Sequence, residues 1–167
     1  MNDLTQVQFL PFKVHNRTGT VQFTLTPAHF AGETFETRNG SQVRVYKKGY
    51  VMVEMANAAE PNDEPGRVSY YWSNKVVMKL SDSDIRQLLD GFEGKECRIV
   101  HDPNKAKGGG SDGTLAKSFL QLTKGERFGY FMTISRGDKK ARCPINDADV
   151  TNFRLLLPRA VVRVYGW

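Results

Sequence analysis

The chain has 167 residues, 40% of them hydrophobic, enough for one domain with a substantial core. Two cysteines, Cys97 and Cys143, exclude a disulfide scaffold, and neither sits in a Cys-x-x-Cys or Cys/His cluster, so a reducing compartment and no metal or other cofactor are expected. The net charge of +6 is uneven: residues 95–142 hold 11 Lys and Arg against 5 Asp and Glu, while the remainder balances at 13 against 13, a distribution suited to a polyanion.

In chain order, the first clear signal is alternation. Val21, Phe23 and Leu25 share one face of a strand, with Thr20, Gln22, Thr24 and Thr26 on the other. Val43 and Val45 oppose Arg44 and Tyr46, and Lys47-Lys48-Gly49 then leads into a run with Val51, Val53 and Met55 on one face. Val76, Met78 and Leu80 oppose Lys75, Val77 and Lys79. At Ser81 the period changes: Asp84 three residues later completes a capping pattern, and Ile85, Leu88, Leu89 and Phe92 follow at helical spacing.

Cys97 to Val100 and Leu115 to Leu122 read as strands, joined through Gly108 to Gly113 as a loop. Within that loop, Gly109, Ser111 and Gly113 fit the G-x-S-x-G pattern of a hydrolase elbow. No apolar strand delivers Ser111, however, and no His follows it, so the pattern carries no mechanism. Ala141, Cys143 and Ile145 then oppose Lys140 and Arg142, before Asn146 and Asp149 repeat the capping pattern ahead of Val150, Phe153 and Leu157. Pro158 predicts a kink or an end to this second helix. The apolar tail of Val161, Val162, Val164, Tyr165 and Trp167 is expected to be buried, on the chain's own sheet or between chains.

The two strand-to-helix transitions superpose at an offset of 65, with Leu80 on Ile145, Asp82 on Asp147, Asp84 on Asp149, Ile85 on Val150 and Lys75 on Lys140. This predicts an α+β fold with two antiparallel units, each followed by a helix, as one domain with pseudo-repeats at about 6–93 and 94–167. His15, His29 and His101 are isolated, and the paired aspartates fall in helix first turns where they favour the dipole, so no catalytic set is expected. No run is apolar enough to span a membrane, and Met1-Asn2-Asp3-Leu4 opens no signal or transit segment, which predicts a cytosolic protein or one whose presequence is gone.

The outward residues mix cations and aromatics, as single-stranded nucleic-acid surfaces do: phosphates are neutralised while ring faces stack on bases of any identity. The candidate surface comprises Arg44, Tyr46, Lys48, Lys75, Lys79, Lys105, Lys107, Lys117, Lys139, Lys140 and Arg142. Tyr71 is a further outward candidate, whereas Trp72 reads first as sheet packing.

Several segments, in order, resemble the Whirly superfamily: Tyr70-Tyr71-Trp72-Ser73-Asn74-Lys75, the Leu80 to Leu89 helix start, Cys97 to Pro103, Lys117-Ser118-Phe119, Gly129-Tyr130-Phe131 and the closing Gly166-Trp167. The resemblance implies two four-stranded antiparallel sheets, each followed by helix, a tetramer joined through helical elements, and single-stranded nucleic acid lying across the sheets. Plant members bind single-stranded DNA, in transcription or organelle genome maintenance, and carry a K-G-K-A-A-L strand. Here Thr18-Gly19-Thr20-Val21-Gln22-Phe23 stands in that place, with threonine for both lysines. The chain looks more like the kinetoplastid guide-RNA-binding branch. That likeness implies an RNA matchmaker in the mitochondrial matrix, in a heterotetramer with a related subunit. It would bind guide RNA by its phosphates and promote annealing to pre-mRNA in uridine insertion and deletion editing, with no enzyme activity.

Overall fold

The structure, a computed structural model, describes residues 10–59, 68–105, 115–127 and 129–167. The elements run β1 (Phe12–His15), β2 (Gly19–Thr26), β3 (His29–Glu36), β4 (Gln42–Lys47), β5 (Tyr50–Asn57), β6 (Val76–Leu80) and α1 (Asp82–Phe92). Then follow β7 (Cys97–His101), β8 (Ser118–Lys124), β9 (Tyr130–Arg136), β10 (Lys139–Ile145) and α2 (Asp147–Tyr165). They build two four-stranded antiparallel sheets, ordered β1-β2-β5-β6 and β10-β9-β8-β7, and a separate β3–β4 ribbon. This is the α+β arrangement of two sheets, each followed by helix, that the sequence predicts.

Alternation decides which face each sheet buries. In the first sheet Phe23, Val53 and Met78 lie abreast on the inner face, and in the second Ile99, Leu120, Ile134 and Ala141 do the same. Phe153 of α2 ties the halves together: its ring stacks on Phe92 of α1 at 5.0 Å and meets Phe23 of β2 edge-on at 4.8 Å. Edge and offset contacts of this kind suit the ring quadrupole and add to the burial itself.

Both helices start on the same device. Asp84 N–H donates to the Ser81 hydroxyl at 3.3 Å and Ser81 N–H donates back to the Asp84 carboxylate at 2.8 Å. Asn146 and Asp149 reproduce this exchange at 2.8 and 3.2 Å. Each cap satisfies two of the N–H groups a helix start leaves without partners. Asp84 and Asp149 are therefore committed to capping, as the dipole argument anticipates.

The sheets meet where β2 and β5 approach β10. Asn57 donates its side-chain N–H to the Lys140 carbonyl at 2.8 Å and accepts the Arg142 N–H at 3.1 Å. Glycine is required opposite: a Cβ on Gly19 would lie 2.1 Å from the Arg142 carbonyl oxygen. Gly19 thus serves close packing of two backbones.

Four expectations are corrected. Val43 and Val45 join no sheet core, because β4 pairs only with β3 and the ribbon leaves Val43 and Phe35 exposed. Tyr71 and Lys75 flank a single 3-10 turn, Trp72–Asn74, rather than sitting in a strand. Strand β8 begins at Ser118, three residues later than Leu115. Helix α2 runs on past Pro158 to Tyr165, because Val164 is fully buried and tethers the far end, while Gly166 closes the helix in the left-handed conformation. The tail is consequently split: Val164 is buried, but Val162, Tyr165 and Trp167 stay exposed in the single chain.

Candidate nucleic-acid interface

The strands of the second sheet contain no Asp or Glu at any position. Their outward residues form two rows set by register: Arg98, Gln121, Thr133 and Arg142, then Val100, Phe119, Ser135 and Lys140. A shallow groove of about 290 Å³ runs over this face between Phe119, Phe131, Gln121, Thr133, Lys140 and Arg142. The Arg142 guanidinium lies 3.9 Å from the Phe131 ring centroid, and that of Arg98 lies 5.2 Å from the Phe119 ring. A guanidinium held on a ring keeps its in-plane N–H donors free for phosphate oxygens while losing little freedom on binding. The face thus offers fixed cations and aromatic surface side by side.

A second feature joins this face to the first sheet. A cleft of about 650 Å³ between β6 and the β7–β8 pair is lined by Lys79, Val100, Lys105, Lys117 and Arg136. Lys117 pairs with Asp102 at 3.1 Å, and its hydrogen bond, outweighing the opposing effect of burial, holds the Asp102 carboxyl below the usual carboxylate range. Val100 lines the cleft and stands opposite Phe119 of the groove in the β7–β8 register, so cleft and groove lie next to one another. On the outer face of the first sheet, Lys79 sits 3.9 Å over the Tyr50 ring.

The candidates from sequence divide accordingly. Lys140 and Arg142 line the groove, Lys139 stands at the β9–β10 turn beside it, and Lys79, Lys105 and Lys117 gather at the cleft. Arg44 and Tyr46 lie apart on the β3–β4 ribbon around Phe30. Lys75 is engaged by Glu54, which also accepts from Gln22, so the middle of the first sheet's outer face carries a neutralising carboxylate. Lys48 faces neither sheet surface: it pairs with Asp82, donates to the Tyr165 hydroxyl at 3.0 Å and lies over the Tyr165 ring, fastening α1 to the end of α2. Lys107 and Ser111 lie outside the described residues.

Sequence reading missed Arg98, Phe119, Phe131 and Gln121. The usable signal was parity, since each stands next to a core residue (Ile99, Leu120 or Met132) in a strand and must face outward.

The histidines are dispersed. His101 contacts Asp84 at 3.0 Å, His15 meets the Thr20 hydroxyl at 2.9 Å, and His29 lies near the Pro27 carbonyl. Among the described residues no three His, Cys, Asp or Glu side chains converge as a metal site. Burial pushes the Cys97 thiol up to about 11 and Cys143 to about 12, so neither is a thiolate near neutral pH.

The family profile described as Whirly transcription factor matches residues 14–155. The chain belongs to the Whirly family. Among curated relatives it is 27% identical over 134 residues to the single-stranded DNA-binding protein WHY3, chloroplastic, of Arabidopsis thaliana, covering 74% of this chain and 46% of that relative. It therefore spans about half the relative's length. The Whirly architecture also recurs in solved structures at 20% identity. The crystal structure of WHY1 from Arabidopsis thaliana gives a TM-score of 0.75 over 98% of this chain and 88% of that one. The plant transcriptional regulator PBF-2 gives 0.73 over 95% and 92%.

Thr20 is fully buried and donates its hydroxyl to the Val14 carbonyl at 2.9 Å, so it faces no ligand.

Proposed function

We propose that this chain binds single-stranded nucleic acid across the outer face of the second sheet, with little sequence preference. The observation that carries the reading is the pair of Arg–Phe contacts, Arg98 with Phe119 and Arg142 with Phe131, on a four-stranded sheet whose strands hold no carboxylate. Phosphates meet the cations and bases meet the rings, and no base edge needs to be read. DNA is the first polymer to test, because the curated relative is a single-stranded DNA-binding protein. The role would then lie in transcription or organelle genome maintenance.

Thr18 and Thr20 in place of two lysines favour a second reading, the guide-RNA branch. There the chain would hold guide RNA by its phosphates in the mitochondrial matrix, beside a related subunit in a heterotetramer, and leave bases exposed for annealing to pre-mRNA. The two readings assign opposite roles to Phe119 and Phe131. Fluorescence anisotropy with matched DNA and RNA strands, for wild type and the Phe119→Ala/Phe131→Ala variant, separates them. Loss of about 1–3 kcal/mol per stacked base supports the stacking reading. Unchanged affinity with RNA preferred supports phosphate-only binding, and no binding of either strand at moderate salt removes both.

A further inference from the structure

The β3–β4 ribbon repeats the chemistry of the second sheet at a distance from it. Phe30 and Tyr46 are paired across the strands with ring centroids 5.9 Å apart, and the Arg44 guanidinium lies 5.4 Å from the Phe30 ring on the same side. These groups are open to solvent, with Tyr46 61% exposed. Of the ribbon's acidic residues, Glu36 pairs with Gln42 at the tip and Glu33 adjoins Thr34, the partner of Arg44, while Lys47 stands at the root opposite His29.

That root is fixed. The Ala28 N–H donates to the Arg163 carbonyl at 3.0 Å and the Gly49 N–H to the Val164 carbonyl at 2.9 Å, so two carbonyls at the C-terminal end of α2 anchor both legs of the ribbon. Lys48, between the legs, is tied to Asp82 and Tyr165. A surface held in this way loses little freedom when it takes up a ligand.

From this root the same pairing continues inward. Tyr50 follows Gly49 with Lys79 over its ring, and Lys79 lines the cleft together with Val100, the register partner of Phe119 in the groove. We propose that the ribbon is a second stacking station for the same strand, with Phe30, Arg44 and Tyr46 gripping nucleotides that have left the second sheet through the cleft. The proposal rests on the function proposed above. A polyanion with flat bases is the occupant that fits, because both ends of the path pair cations with rings and the cleft between them is lined by Lys79, Lys105, Lys117 and Arg136.

The test is a length series of fluorescein-labelled oligothymidylates, titrated by anisotropy into wild type, Tyr46→Ala, Arg44→Ala and Tyr46→Phe. Short oligomers that fill only the second sheet should bind all four proteins alike, which also reports correct folding of the variants. Beyond a threshold length, Tyr46→Ala should lose about fivefold or more and Tyr46→Phe should recover it, because the ring and not the hydroxyl stacks. Equal affinity of wild type and Tyr46→Ala at every length overturns the second station and leaves the sheet surface standing. Equal loss at every length overturns it too, since the effect would then not depend on reach. If wild type binds no oligomer, the station falls together with the function on which it rests.

Discussion

Asn57 of β5 accepts the backbone N–H of Arg142 at 3.1 Å, so the edge strand that carries the groove's principal cation is held by a side chain of the other sheet. The same amide donates to the Lys140 carbonyl two residues away, which fixes the β10 backbone at two points. Asn57→Ala should cost about 1 kcal/mol of stability, because both bonds end at the solvent-accessible edge where water partly replaces them. Nucleic-acid affinity should fall several-fold although Asn57 lines no part of the groove. Denaturant unfolding and anisotropy on the same preparation check the two effects; loss of stability with intact affinity would show that β10 holds its place unaided.

Salt dependence should report Arg98 and Arg142 directly. For single strands each neutralised phosphate contributes a slope of about −0.7 in log affinity against log salt. The Arg98→Ala/Arg142→Ala variant should flatten the slope by about 1.4 if each guanidinium meets one phosphate. An unchanged slope would move the phosphate contacts to the cleft, where Lys105→Ala and Lys117→Ala are the next variants.

The architecture was legible because its signals are local and redundant. The shift from period two to helical spacing at Ser81 and at Asn146 marks both transitions, and the capping boxes sit where those residues place them. The fate of single strands was less legible, since alternation is the same in a ribbon and in a sheet; Val43 and Val45 look like Val51 and Val53 until pairing partners are known. Lys48 misled for a related reason. Its charge is visible in sequence, but its partners Asp82 and Tyr165 come from distant elements. For Pro158 the local rule lost to tertiary packing, with Val164 buried beyond it.

Asp82 should give acid stability a definite window. Its carboxyl is held at about 2, chiefly by the hydrogen bond from Lys48 and then by that from Tyr165. A depressed carboxyl stabilises the fold fully above its unfolded value of about 3.8, and that stabilisation is lost as pH falls through about 2. Asp82→Asn should therefore melt lower than wild type at neutral pH, with the gap closing between pH 4 and pH 2. A gap that persists at pH 2 would mean that packing, rather than charge, is lost in the variant.

Helix α2 should mediate self-association. Leu155, Leu156 and Val162 are exposed, and a groove of about 290 Å³ opens between α2 and the first sheet, lined by Phe12, Leu25 and Leu156. An uncovered apolar stripe beside an apolar groove suits a second copy of the chain, or a related one. Leu155→Glu/Leu156→Glu should reduce the mass measured by light scattering to that of a single chain, 18.9 kDa, without lowering the helical signal. A wild-type protein already at that mass would exclude the face as a self-contact.

The ribbon also bears on how the chain folds. Strands β2 and β5 are remote in sequence, yet β3 and β4 lead one into the other around the turn closed by the Gly40 N–H on the Thr37 carbonyl. Once that turn closes, pairing runs from Glu36 opposite Gln42 to His29 opposite Lys47, interrupted by the irregularity between Phe30 and Thr34, and resumes from Thr26 opposite Tyr50 to Gly19 opposite Asn57, so the entropy of bringing β2 to β5 is met in small steps. The ribbon is thereby cast as the place where the first sheet begins to zip.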